Sequence, residues 1–224
     1  MRLHCPRNHR CRTSRTGRRC LTLAAISSLV YARISSANSE TYVGPNGGNF
    51  SSASNWNTGI TPNSGDDVTV GANDGANITL DVNFDYQSTN YSDGGFNSVT
   101  IDSPSPEQSV TVVESPTGSI VGSLSTVSLV IGNNNEGEFD QTGTSDSTNT
   151  VSGSLVLGAA TGSSGQYDLD EGTLSEANLV VGRAGNGTLV QSNASTDDAG
   201  NIALGQLTGG AGFYTLQAKL SDSA

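Results

Sequence analysis

Ser154-Leu155-Val156-Leu157-Gly158, followed by Gly165-Gln166-Tyr167-Asp168-Leu169, is the unit whose repetition decides the fold. The first element recurs as Ser128-Leu129-Val130-Ile131-Gly132, Asn178-Leu179-Val180-Val181-Gly182 and Asn201-Ile202-Ala203-Leu204-Gly205. Its closing glycines, Gly132, Gly158, Gly182 and Gly205, follow one another at a nearly constant interval. The second element recurs as Gly137-Glu138-Phe139-Asp140-Gln141, Gly187-Thr188-Leu189-Val190-Gln191 and Gly212-Phe213-Tyr214-Thr215-Leu216. The gap from the closing glycine of one element to the opening glycine of the next is alternately shorter (Gly132 to Gly137, Gly182 to Gly187) and longer (Gly158 to Gly165, Gly205 to Gly212), which suggests two flavours of rung. Apolar residues at alternate positions, ended by Gly, read as strand and turn. A 3.6-residue apolar stripe is absent, so helices are not expected. One unit of this length cannot bury its own apolar face, but stacked copies let Leu155, Leu157 and Tyr167 meet their counterparts one rung away. The pattern predicts an all-β fold, a parallel β-solenoid with rungs of about 23–26 residues. A β-sandwich is the alternative.

Upstream, the strands have no clean period. Val68-Thr69-Val70, Ile78-Thr79-Leu80, Val99-Thr100-Ile101 and Val110-Thr111-Val112-Val113 alternate, and Pro104, Pro106 and Pro116 mark turns. The stretch from Gly47 to Asp67 is turn-rich and holds the only Trp, Trp56. Three regions are expected: residues 1–37 as a signal peptide, 38–127 as an N-terminal cap with degenerate β coils, and 128–224 as the solenoid repeats.

Charge separates the first region from the rest. Eight of ten Lys and Arg residues lie in the first 33 positions, and all 21 acidic residues lie from Glu40 onward. A basic start, the apolar stretch 20–32 and small residues after it have the form of a secretory signal, with cleavage after Ala32 or Ala37. That stretch is too short to span a bilayer, which takes roughly 20 apolar residues. Arg18-Arg19 suggests twin-arginine export, but Cys20-Leu21-Thr22 match that signal poorly, and Cys20 lacks the residues that precede a lipoprotein cysteine. A true start nearer the apolar core would leave the export reading unchanged. Cys5, Cys11, Cys20, His4 and His9 all fall in this segment, so Cys5, His9 and Cys11 do not make a zinc site, which needs four ligands. Cleaved after Ala37, the chain keeps Arg183 and Lys219 as its only basic residues and has a net charge of −19. Such a chain repels nucleic acid and anionic membrane surfaces. No transmembrane helix is expected in it.

Gly47-Gly48-Asn49-Phe50, Asn55-Trp56-Asn57, Pro62 and Asp66-Asp67-Val68, with the Leu-Val-Ile-Gly and Gly-x-Tyr-x-Leu repeats, resemble bacterial exported proteins with autotransporter-like β-helical repeats. The resemblance covers roughly residues 42–217. It implies a secreted or cell-surface, adhesin-like stalk or matrix component in a bacterium. Such proteins often end in a sorting anchor, and none is seen here; Lys219 stands where Gly143 and Gly172 stand in earlier units.

No catalytic, cofactor-binding or metal-ligating residue is assigned from the sequence. Without His or Cys after residue 37, Ser-His-Asp and Cys-His nucleophilic schemes are excluded. Glycoside hydrolysis needs only two carboxylates, and Asp66-Asp67, Glu136 with Glu138 and Asp140, and Asp168 with Asp170 and Glu171 supply pairs. Arg183 and Lys219 are the only basic residues left to bind a sugar, so no enzyme is expected. Asn133-Asn134-Asn135-Glu136 and Asp168-Asp170-Glu171 are oxygen-rich enough for calcium, or else are solvated turns that keep strand edges from pairing. Gly209-Gly210-Ala211-Gly212 is similar to a calcium-binding β-roll repeat, except that Tyr214 occupies the Asp position. Trp56 is read as covering the first rung, with sugar stacking as the alternative. Asn-x-Ser/Thr triplets at Asn49, Asn77, Asn90, Asn186 and Asn193 are expected by chance in this composition. The expected function is an exported, non-catalytic structural or adhesin-like repeat protein without a cofactor. A carbohydrate-binding module assisted by calcium and a polysaccharide-degrading β-helix enzyme are the alternatives. Extracellular polysaccharide or other surface proteins are the expected partners.

Overall fold

The computed structural model describes residues 37–71, 79–83, 95–114, 123–142, 146–192 and 195–217, and for 79–83 the strand path alone. The signal segment, Pro116, Gly143, Lys219 and the triplets at Asn77, Asn90 and Asn193 lie outside them.

Two parallel sheets of seven strands each make the fold. The first contains β1 (Ser39–Thr41), β3 (Asp67–Val70), β5 (Phe96–Ile101), β7 (Ser125–Ile131), β9 (Thr148–Leu157), β11 (Thr173–Val181) and β13 (Thr196–Leu204), in that order. The second contains β2 (Gly48–Asn49), β4 (Thr79–Asn83), β6 (Ser109–Glu114), β8 (Glu136–Gln141), β10 (Ser164–Leu169), β12 (Asn186–Ser192) and β14 (Ala211–Gln217). The chain alternates between the sheets, so each rung adds one strand to each: a β-solenoid. One 3₁₀ turn, Ala53–Asn55, is the only helical element among the described residues.

Parallel in-register pairing puts like residues in rows. Val68, Val99, Leu129, Leu155, Leu179 and Ile202 form one inward row, and Val70, Ile101, Ile131, Leu157, Val181 and Leu204 the next. On the facing sheet the row is Val112, Phe139, Tyr167, Leu189 and Tyr214. There Phe139 and Tyr167 stack with ring centroids 5.1 Å apart. The core is therefore a column of side chains between the sheets, each covered by its own row above and below. Both sheets run on through the upstream strands. Val68, Val99 and Leu129 stand further apart along the chain than Leu129, Leu155, Leu179 and Ile202 do, because the upstream coils are longer. Those coils include residues 72–78, 84–94 and 115–122, outside the described ones.

The two glycines of the repeat have different causes. Gly158 turns the corner at φ 66°, where a side chain is strained. Gly165 opens β10 so close to the preceding rung that a Cβ would collide with the Ile131 carbonyl. Gly137, Gly165, Gly187 and Gly212 stay in register whether the gap from the preceding glycine is the shorter or the longer one. The turn absorbs the difference.

The first rung is closed. Tyr42, Phe50 and Trp56 are buried together, with Trp56 centroids 5.5 Å from Tyr42 and 4.6 Å from Phe50 in edge-on geometry. Trp56 Nε1 donates to the Phe50 carbonyl at 2.8 Å. Residues 55–57 also cover the edge of β1: Asn57 N donates to Thr41 O at 2.9 Å, and Thr41 N donates to Asn57 Oδ1 at 2.8 Å.

Candidate functional site

On strands of period two, the residues between inward positions face out. On β8 these are Glu138 and Asp140, and on β10 Gln166 and Asp168. Register places Glu138 beside Gln166 and Asp140 beside Asp168. Neighbouring strands lie about 4.8 Å apart, so the two aspartates repel as stacked like charges. One carboxylate oxygen from each of Glu138, Asp140 and Asp168 lies within 4.8 Å of the others. Gln166 Nε2 donates to Asp168 Oδ2 at 2.9 Å and to Glu138 Oε1 at 3.3 Å, and Thr111 Oγ1 donates to Glu138 Oε2 at 3.0 Å. Asp168 Oδ1 is buried without a hydrogen-bond partner. Burial raises the Asp168 pKa, Asp170 adds to the rise, and the Gln166 hydrogen bond opposes it. All three carboxylates are half-buried. Hard oxygen ligands converging in this way suit a hard divalent cation, whose remaining ligands would be water. A groove of about 140 Å³ beside them is lined by Ser109, Glu136, Glu138, Ser164 and Gln166. Pockets that enclose small organic ligands run to about 300–1,000 Å³, so the groove suits an ion or the edge of one sugar.

This site joins residues from two stretches that the sequence separates. Asp168 lies with Glu138 and Asp140 across the strands. Asp170 and Glu171 instead sit at the corner, where their backbone N–H groups donate to Gln141 O. Asn133, Asn134 and Asn135 form the turn that leads into β8 at Glu136. Asp102 accepts from Asn134 N at 3.0 Å and Asn135 N at 2.9 Å, and Asn135 Nδ2 donates to Ser103 O at 2.8 Å. Asp66 is fully buried and accepts from Asn38 N and Asn63 N, at 3.0 and 2.7 Å. Asp67 accepts from Asn97 Nδ2 and Ser98 Oγ. These carboxylates therefore close turns and tie rungs together. Trp56 is 2% exposed, which leaves no face for a sugar to stack on.

A second set of polar residues, unforeseen from the sequence, lies inside the solenoid. Asn149 Nδ2 donates to Glu114 Oε2 at 2.7 Å, to Tyr167 OH at 2.9 Å and to Gln141 Oε1 at 3.1 Å, while its Oδ1 accepts from Leu124 N at 2.7 Å. Tyr167 OH donates to Gln141 Oε1 at 2.7 Å. Glu114 is fully buried; burial pushes its pKa up to about 7, against the hydrogen bonds from Asn149 and Ser147. Toward the last rung, Glu176 lies against Asp197, and Tyr214 OH contacts Asp197 and Gln191. Burial first, and then the Asp197 charge, push Glu176 up to about 8. The alternation Val110, Val112, Glu114 already marks Glu114 as inward; a Glu in that position was the available signal.

The chain matches no protein-family model, no curated protein and no solved structure. No helix among the described residues is long and apolar enough to cross a membrane.

Proposed function

We propose that this is an exported, non-catalytic structural repeat protein of a bacterial surface or extracellular matrix, adhesin-like in its mode of action. One observation carries the reading: inward rows run the length of each sheet, while Asp66 and Asp67, one of the candidate carboxylate pairs, are engaged in turn and rung closure. A scaffold of this kind works by holding a fixed array of Thr, Asn, Gln, Asp and Glu side chains toward its surroundings. The resemblance to autotransporter-like repeat proteins and the signal-like N-terminus support export.

The Glu138–Asp140–Asp168 cluster favours a second reading, a carbohydrate-binding module assisted by calcium. Both readings are tested by incubating the purified chain with a panel of polysaccharides, with and without calcium, and scoring retention and new reducing ends. A scaffold neither retains nor cleaves. Calcium-dependent retention, lost in Asp168→Asn, establishes the second reading. New reducing ends would make the protein an enzyme and overturn both.

A further inference from the structure

A polar clamp occurs twice inside the solenoid, two rungs apart. Tyr167, Gln141 and Asn149 make the first, and Tyr214, Gln191 and Asp197 the second. The two tyrosines share one row, with Leu189 between them. The glutamines share another, with Leu169 between them, and Asn149 and Asp197 a third, with Leu174 between them. Both tyrosines stand on rungs with the longer corner, Gly158 to Gly165 and Gly205 to Gly212. The two clamps therefore match except at one position, where Asp197 stands in place of Asn149.

That one difference changes the hydrogen count. Asn149 Nδ2 donates to Tyr167 OH at 2.9 Å, which leaves the hydroxyl hydrogen for Gln141 Oε1 at 2.7 Å. In the second clamp Gln191 Nε2 donates to Ser195 O at 2.9 Å, so it is Gln191 Oε1 that faces Tyr214 OH, 2.8 Å away. Asp197 Oδ2 is also within hydrogen-bonding distance of that hydroxyl. A tyrosine has one hydroxyl hydrogen, which does not satisfy two bare oxygens. A proton on the Asp197 carboxyl supplies the missing hydrogen, as the Asn149 amide does in the first clamp. Glu176 lies against this carboxyl and is 3% exposed. Among the described residues, no N–H or O–H donates to either of its oxygens or to Asp197 Oδ1. The titratable groups that face it are Asp197 and Asp198 on β13 and Tyr214 on β14, while β9 and β12 carry none. Tyr167 on β10 feels Glu176 and Asp197 together with Glu114 on β6. Two buried carboxyls in contact, with only acidic or neutral groups facing them, hold a proton in common. Burial, and then the Asp197 charge, keep the Glu176 pKa up at about 8.

We propose that Glu176, Asp197 and Tyr214 form a proton-dependent latch between the β11 rung and the β13–β14 rung, closed while the carboxyl pair holds its proton and released in alkali. Losing that proton places two buried negative charges in contact and leaves Tyr214 with one hydrogen for two acceptors. Both changes act at the junction of the two rungs, because Glu176 belongs to β11 and Asp197 and Tyr214 to β13 and β14. A further rung stacked on β13 would carry the pair deeper from water and act in the same direction. The first clamp draws its hydrogens from Asn149 and Tyr167 and keeps them over the same pH range.

Native-state hydrogen exchange of the purified chain, read by mass spectrometry and corrected for the intrinsic rate at each pH, measures the opening of residues 196–217. Each opening releases one proton, so protection there should fall about ten-fold per pH unit from about pH 6 and level off near about pH 8. Glu176→Gln/Asp197→Asn, which gives the second clamp the amide of the first, should remove that slope, and Glu114→Gln should leave it in place. Protection of 196–217 that stays constant with pH in the wild type overturns the proposal, and so does a slope that survives in the double variant. Carbon-13 NMR of the wild-type carboxyl groups gives a reading that needs no variant. The Glu176 resonance should titrate near pH 8, and titration in the ordinary glutamate range overturns the latch.

Discussion

Replacing Glu114 by Gln should flatten the pH dependence of stability, and the size of the effect follows from where the carboxyl sits. Glu114 ends β6 on the inward side with no exposure; its Oε2 accepts from Asn149 at 2.7 Å, and its Oε1 is buried without a partner. Burial raises its pKa from 4.5 to about 7. The sign follows from proton counts. Between those values the folded chain holds a proton that the unfolded chain releases, so stability falls as pH rises through the window. Above about 7 both forms are ionised and the penalty stays constant. At 1.36 kcal/mol per pKa unit the loss is about 3 kcal/mol across the window, a large part of the 5–15 kcal/mol typical of a folded domain. Gln keeps an acceptor for Asn149 and cannot titrate. Urea unfolding of wild type and Glu114→Gln at intervals from pH 4.5 to 8 reads this as a difference in slope, whatever constant cost the amide brings. The wild type should lose about 1.4 kcal/mol more per pH unit than the variant near pH 5–6. Parallel stability curves would refute the assignment of a buried, proton-holding Glu114.

Leu155→Ala empties a fully buried place in a row that five other rungs share; about 2–5 kcal/mol should be lost in denaturant unfolding. Gly158→Ala and Gly47→Ala both force a side chain into positive φ, costing about 1–2 kcal/mol. At Gly158 the new Cβ also meets the Asn186 carbonyl, whereas Gly47 faces open space, so thermal unfolding should show a markedly larger drop for Gly158→Ala. Trp56 fluorescence should be blue-shifted and resist acrylamide quenching in the native chain, and Trp56→Ala should cost about 3–5 kcal/mol in urea unfolding. If calcium binds the outer carboxylates, calcium at about 100 times its dissociation constant should add about 2.7 kcal/mol to stability. Asp168→Asn should then abolish the calcium-induced rise in melting temperature, and an unchanged rise would exclude the site.

The rows of the core were legible in the repeat because parallel stacking converts a sequence period into a spatial one. Leu129, Leu155 and Leu179 differ by one rung in sequence and so become neighbours in space. Upstream the same sheets continue, but the longer coils from Val68 to Val99 and from Val99 to Leu129 hid the period, since a turn can lengthen without moving the strands it joins. The outer site shows the opposite case. Asp168 reads as part of a run with Asp170 and Glu171, yet strand alternation turns it toward Asp140 on the preceding rung, while its sequence neighbours pass into the corner. In the sequence Asp66 and Asp67 read as a candidate carboxylate pair, and Glu114 as the inward end of the Val110, Val112 alternation. Whether each became a turn closure or a buried acid depended on which backbone N–H groups and which apolar walls the adjoining rungs brought to it. The chain itself determined the rung, its alternation and its acidity, because these depend on residues near one another in sequence. The partner of each carboxylate was decided only by stacking, because it depends on what lies one rung away.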